Sequence, residues 1–208
     1  RTITSFLDLI ASEGGRKERY LNFLIVLCQC RGKGVRTNQW RLREMLVQDK
    51  ERRKLLINLT LKEDGRVFVS GDPDYFPMFK QTGTRPLKEW LSLTHEETRA
   101  YFFKQIELMG MLCMGRNLKN TPILRELLPY DLILSIITDR ELHEHYLEVS
   151  TRFVAVCRDL YIDSEPWENM VQLRTVRIWA NVQGIAASGA LSTRRTTTLN
   201  FEYFNALK

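Results

Sequence analysis

Residues 142–160 read Leu-His-Glu-His-Tyr-Leu-Glu-Val-Ser-Thr-Arg-Phe-Val-Ala-Val-Cys-Arg-Asp-Leu. Leu142, Tyr146, Val149, Phe153, Val156 and Leu160 recur at steps of four and three. On a helix of 3.6 residues per turn those six side chains share one face. The spacing predicts a single amphipathic helix through this stretch. The same signature recurs elsewhere. Phe102, Ile106, Met109 and Cys113 form a second stripe, Tyr20, Leu24 and Leu27 a third, and Met170, Leu173, Val176 and Ala180 a fourth. Thr94 with Glu97 reads as a capping box, because a hydroxyl and a carboxylate three residues apart can satisfy exposed helix-start amides reciprocally. Pro166 suits the first turn of a helix over Trp167–Ala180, where its missing N–H is not needed.

Breakers separate the stripes. Gly14-Gly15, Gly32 with Gly34, Gly115, Pro122 and Pro129 all fall between periodic stretches. Residues 62–93 differ from the rest. Lys62-Glu63-Asp64-Gly65 is a turn signal, Arg66 to Ser70 suits a short strand, and Gly71, Pro73, Pro77, Gly83 and Pro86 forbid a long helix. The expected organisation is a helical block over 1–61, one irregular insertion over 62–93, a second helical block over 94–183, and a mobile linker with the start of a further helix over 184–208. Amphipathic helices joined by short turns favour an all-α architecture, an α-solenoid of helical hairpins or a compact bundle. No strict repeat is visible, so a solenoid here is a degenerate one. The Asn58-Leu59-Thr60 sequon falls in an expected helical stretch and reads as a chance match.

The chain has 208 residues, enough for a buried core. Its hydrophobic share of 44% and charged share of 27% are ordinary for a globular protein and exclude disorder. The formal charge is +6, and residues 31–54 carry all of that excess. They hold Arg31, Lys33, Arg36, Arg41, Arg43, Lys50, Arg52, Arg53 and Lys54 against Glu44, Asp49 and Glu51. The remainder of the chain is balanced, with 22 charges of each sign. A protein that coats nucleic acid over its whole surface is thereby disfavoured. The longest apolar run is Phe23 to Cys28, far short of the ~20 residues a membrane-spanning helix needs. The chain starts at Arg1 inside a helical pattern and reads as a fragment of something longer. Cys28, Cys30, Cys113 and Cys157 are too few for a disulfide framework and suit a reducing compartment.

Chemistry-bearing clusters are sparse. His143-Glu144-His145 places two imidazoles two residues apart, roughly 200° around a helix, so they do not easily share one metal. Cys28 and Cys30 have the same separation and do not make a CxxC site. Arg31-Gly32-Lys33-Gly34 has the residues of a phosphate loop without its spacing, and reads as a helix–helix turn with exposed charges. Trp40 is the sole aromatic interleaved with the bases, where nucleic-acid binding wants several. Trp90, Trp167 and Trp179 read as packing residues. No catalytic, metal or ligand-binding residue is assigned. Arg36, Arg41, Arg43, Arg52 and Arg53 form the candidate interface, a surface for acidic neighbours.

Several motifs together resemble a known family. Leu108-Met-Gly-Met-Leu-Cys113-Met-Gly-Arg116, Asp131-Leu132-Ile133-Leu134 with Thr138-Asp139, Ile162-Asp163-Ser164-Glu165-Pro166, and Arg177-Ile178-Trp179 follow one another in order. Residues 101–182 thus resemble the RIH domain, the helical domain shared by inositol trisphosphate receptors and ryanodine receptors. Tyr20 to Cys28 is similar to the helix that follows the ligand-binding core in these channels. Cys28-Gln29-Cys30-Arg31-Gly32 with Val35-Arg36-Thr37-Asn38-Gln39 is closer to the ryanodine receptor version. Residues 62–98, the segment from His143 to Glu148 and the tail after Val182 depart from the family pattern.

The resemblance implies an armadillo-like α-solenoid segment of a homotetrameric calcium-release channel of the endoplasmic reticulum. Its partners would be other domains and subunits of that channel. Inositol trisphosphate would be bound by domains upstream, with no ligand, cofactor, nucleic acid or membrane contact in this segment. Its role would be to relay ligand-induced motion toward the pore. The alternative is a helical-repeat adaptor that takes an acidic protein partner through residues 31–54. An enzyme is the weakest reading, since no constellation of titratable groups suggests a polar pocket.

Overall fold

The computed structural model describes residues 2–12, 16–80 and 83–164. The chain divides into two units, Arg1–Glu165 and Pro166–Lys208, and every described residue belongs to the first. The expected helix over Trp167–Ala180, its stripe, its tryptophans and the 184–208 tail lie outside the described residues.

The chain is mostly helical with small sheets. Helix α6, Glu96–Cys113, is the centre. It buries Tyr101, Phe102, Gln105, Ile106, Leu108, Met109, Gly110, Leu112 and Cys113. These positions run around most of its circumference, as they must in a helix packed on several sides. Helix α2, Glu18–Cys28, lies against it through Leu21, Leu24, Ile25 and Cys28. Helix α1, Thr2–Ala11, closes on α2, with Phe6 stacked on Phe23 at 3.9 Å between ring centres. The sequence stripe on α2 named Tyr20, Leu24 and Leu27. The buried face is centred one residue further round, and Tyr20 and Leu27 flank it half-buried.

After α2 the chain makes a two-residue β-hairpin, β1 Gln29–Cys30 with β2 Lys33–Gly34. Arg31 and Gly32 both take positive φ, 51° and 73°, as the tight turn between two-residue strands requires. The Arg31–Gly34 segment is therefore a strand hairpin, not a helix–helix turn. Helix α3, Arg36–Leu42, continues into a π-helical turn, Arg43–Gln48. Asp49 ends it and starts α4, Lys50–Arg53, by accepting the amides of Glu51 and Arg52 at 3.0 and 2.9 Å.

The largest departure from an all-α reading follows. Asn58–Leu61 (β3), Val67–Ser70 (β4) and Thr84–Pro86 (β5) form an antiparallel sheet in the order β3-β4-β5. Gly65, at φ 76°, makes the β3–β4 turn that Lys62-Glu63-Asp64-Gly65 signalled. The segment expected to be irregular is thus a small sheet, and it starts at Asn58. The sequon lies on a strand, not a helix. The apolar residues Val67, Phe68 and Val69 are all buried, which alternation alone does not reveal. Helix α5, Leu87–Leu93, then buries Trp90 edge-on against Phe102, 5.1 Å between centroids. The Thr94–Glu97 capping box does not form. His95 is the residue before α6, and Thr94 is buried with its hydroxyl 3.9 Å from the Met78 sulfur.

Four helices complete the unit: α7 Thr121–Leu127, α8 Tyr130–Thr138, α9 Arg140–His145 and α10 Leu147–Cys157. A π-helical turn, Arg158–Ile162, extends α10, which packs on α6 and α8. The Leu142–Leu160 stripe is buried apart from half-buried Tyr146. It is nevertheless two helices. Tyr146 at φ −137°, ψ 51° breaks the stretch that periodicity joins. Asp139 caps the short α9 by accepting from Glu141 and Leu142.

Candidate functional site

The nine cations of residues 31–54 sort into two groups once side chains are placed. Three are committed. Arg43 is 6% exposed, its guanidinium 3.8 Å from Glu44. Arg52 reaches back to Asp8 on α1 at 3.0 Å. Lys54 holds Glu51 at 2.8 Å, a hydrogen bond that raises the ammonium pKa. The other six, Arg31, Lys33, Arg36, Arg41, Lys50 and Arg53, are exposed and make no ion pair with any described residue.

The five arginines of the candidate interface do not form one surface. Arg36 and Arg41 are both exposed on α3. Five residues apart, they point roughly 140° away from each other around the helix. Arg43 faces inward with its Nε buried and unpartnered, so it offers a partner nothing. Arg52 is half-buried against α1. Arg53 alone lines a depression, together with Lys50 and Lys54 from α4 and with Asn58, Ser70, Gly71 and Asp72 from the neighbouring sheet. Lys50 and Arg53, three residues apart, share a face of the short helix. Lys50 and Lys54 belong to the 31–54 cations but not to the five arginines of the candidate interface, because a lysine beside acids reads as a solvated face. Placement alone shows which acids are already taken. The depression has a volume of about 370 Å³ and opens to solvent.

A second depression of about 200 Å³ is lined by Arg16, Lys17, Tyr75, Phe76, Met78, Glu97 and Tyr101, among others. Arg16 stacks over the Tyr75 ring at 5.7 Å, so its cation is already engaged. Trp40 is partly exposed at 39%, with the Lys119 ammonium 5.5 Å from its ring.

The remaining sequence candidates separate. His143 and His145 are exposed in the last turn of α9. Cys28 is buried in α2 while Cys30 is exposed on β1, so the pair does not share an environment. Burial pushes the thiols of Cys28 and Cys113 up to about 12, which keeps both protonated and inert. Among the described residues no group of three or more His, Cys, Asp and Glu side chains is placed to hold a metal ion. No described helix is long and apolar enough to cross a membrane.

What sequence reasoning missed entirely is a set of buried amides that tie the elements together. Gln105 on α6 accepts from Ile57 N–H at 2.9 Å and donates to Ile57 C=O at 2.7 Å. Tyr101 donates to Leu55 C=O at 2.9 Å. Gln39 on α3 donates to the Met111 and Met114 carbonyls at 2.8 and 3.0 Å, and accepts from Asn117 at 2.8 Å. Gly34 sits so close that a Cβ there would lie 2.5 Å from the Met114 carbonyl oxygen. The middle and the C-terminal end of α6 are thus bonded to the segment between Gln39 and Ile57.

With this geometry in place, the comparisons bear on one part of the chain. The family model described as the RIH domain matches residues 1–61. That stretch runs from α1 through the last residue of β3 and contains all nine cations and Gln39. Residues 101–182, which carry the other half of the sequence resemblance, lie outside the match. The RIH domain belongs to channel receptors and is not an enzyme family. No curated protein matches the chain.

Proposed function

We propose that this chain is a cytoplasmic regulatory and coupling segment of a ligand-gated intracellular calcium-release channel related to the inositol trisphosphate and ryanodine receptors. The observation that carries the reading is the RIH match over residues 1–61. In this reading the helices are a stretch of armadillo-like solenoid, and the β3–β5 sheet is an insertion carried on it. The channel is a homotetramer in the endoplasmic reticulum membrane. Ligand is bound upstream and the pore lies downstream, so the segment needs no cofactor of its own.

The packing supports a mechanical role. Coupling requires a packed element with two arrangements, which both sites bias. Helix α6 offers the packed element, with Gln39 bonded to carbonyls at its C-terminal end and Tyr101 and Gln105 bonding to Leu55 and Ile57 along its middle. Two measurements test the reading. The full-length gene product should carry β-trefoils before this segment and a cluster of membrane spans after it; a product lacking both removes the channel assignment. Calorimetry of the chain with inositol trisphosphate should show no specific binding, and micromolar affinity would place the ligand site here instead of upstream.

A further inference from the structure

We propose that the depression between α4 and the adjoining ends of β3 and β4 is a docking cleft for the carboxylates of an acidic polypeptide segment, gripped by Lys50 and Arg53. Charge accounting within the stretch comes first. Two of its three acids are hydrogen-bonded, and the third faces another cation. Asp49 caps α4 with its Oδ1, Glu51 holds Lys54, and the Glu44 carboxylate lies nearest Arg43. Neither Lys50 nor Arg53 makes an ion pair with a described residue, and both stand exposed on one face of α4.

Shape comes second. Lys50 and Arg53 border a concavity of about 370 Å³ whose other walls supply neutral polar groups, the Asn58 amide and the Ser70 hydroxyl. Asn58 and Ser70 are paired residues across β3 and β4, so the floor is fixed by the sheet register. Gly71 has no room to move inward, since a Cβ there would lie within 3 Å of the Phe76 and Phe79 rings. The acid in the wall, Asp72, spends its Oδ1 on the amide of Asp74 at 2.9 Å. Sheet register and this turn bond hold the walls, and the three cations among the lining residues outnumber the single acid.

The occupant follows from what the cleft has and lacks. It holds no aromatic platform, so it does not favour a nucleobase. It is open, and so does not enclose a small ligand on most sides as small-molecule sites do. An acidic segment lying across it would place one carboxylate on the Arg53 fork, which donates two parallel hydrogen bonds to it, and another on the Lys50 ammonium. The free cations Arg31, Lys33, Arg36 and Arg41 would act at longer range, raising the encounter rate with the same partner. This inference rests on charge and shape and does not depend on the channel reading.

The test is fluorescence anisotropy of the full chain with a fluorescein-labelled oligoglutamate peptide at about 0.15 M salt, where charges outside the cleft are screened beyond about 8 Å. The double variant Lys50→Glu/Arg53→Glu should weaken binding about tenfold or more. Arg36→Glu/Arg41→Glu makes the same change in net charge outside the cleft and should stay within about twofold of the parent. Lys50→Gln/Arg53→Gln provides the same comparison without charge reversal, should the reversed variant fail to fold by circular dichroism. Absence of peptide binding to the parent would overturn the proposal. So would equal losses in the two double variants, which would mean a diffuse field and no cleft. Preference for a single-stranded oligouridylate over the peptide, lost with Lys50 and Arg53, would also overturn it.

Discussion

Gln105 is polar, 4% exposed and central to the fold. Its side chain satisfies both backbone groups of Ile57, next to the first residue of β3. Replacing it with Leu would leave a buried N–H and C=O unpaired, a loss of about 1–3 kcal/mol per group. Chemical denaturation of Gln105→Leu should therefore show a lower midpoint with an unchanged slope. An unchanged midpoint would mean that Ile57 finds other partners. Nothing in the sequence around Gln105 marks it, because its partner lies 48 residues away. The cysteines carry a second expectation at this scale. Burial raises the thiols of Cys28 and Cys113 from 9.0 to about 12. The unfolded chain then releases these protons first, so their contribution to stability is complete below about pH 9 and is lost as pH rises toward 12. The melting temperature should fall over that range, and Cys28→Val should flatten the fall. An equally steep fall in that variant would assign the effect to other groups. The burial of Cys28 and Cys113 was legible from their apolar helical surroundings; the exposure of Cys30 was not, since it follows from a hairpin that begins one residue earlier.

Elements were legible where one period governed them and lost where two pieces shared it. The Leu142–Leu160 stripe is correct in burial and wrong in continuity, because a 3.6-residue period survives a single non-helical residue such as Tyr146. The π-helical turns at Arg43–Gln48 and Arg158–Ile162 are invisible to periodicity for the same reason. Residues 58–61 looked helical because the mostly apolar stretch Leu55 to Leu61 is too short to separate strand from helix. At this scale Gly34 is the sharpest test. Gly34→Val would drive its side chain into the Met114 carbonyl and the Gln39 amide, 2.5 and 2.6 Å from the position of the new Cβ. Overpacking of this kind costs about 1–3 kcal/mol. The variant should melt earlier, and amide exchange at the C-terminal turn of α6 should speed up. Wild-type protection there would mean that the hairpin lifts away without disturbing the helix.

For the whole chain, helix should dominate the far-ultraviolet circular dichroism with a minor sheet contribution, and a sheet-dominated spectrum would remove the fold described above. The +6 charge is the other property of the entire molecule. Its localisation to residues 31–54 follows from counting alone. So do the helical majority, the absence of a long apolar run and the likeness to RIH domains, each of which is a sum or an order along the chain. Counting could not say that three of the nine cations are committed, that Arg43 turns inward, or that Lys50 and Arg53 meet a concave wall from a sheet some ten to twenty residues on. Those are outcomes of packing. A salt bridge such as Arg52–Asp8 joins positions 44 residues apart. A cleft exists only where two separately formed elements come to rest against each other. Sequence determines which faces are apolar and where charge accumulates; tertiary contact decides which charges remain free, because only burial and proximity neutralise the rest.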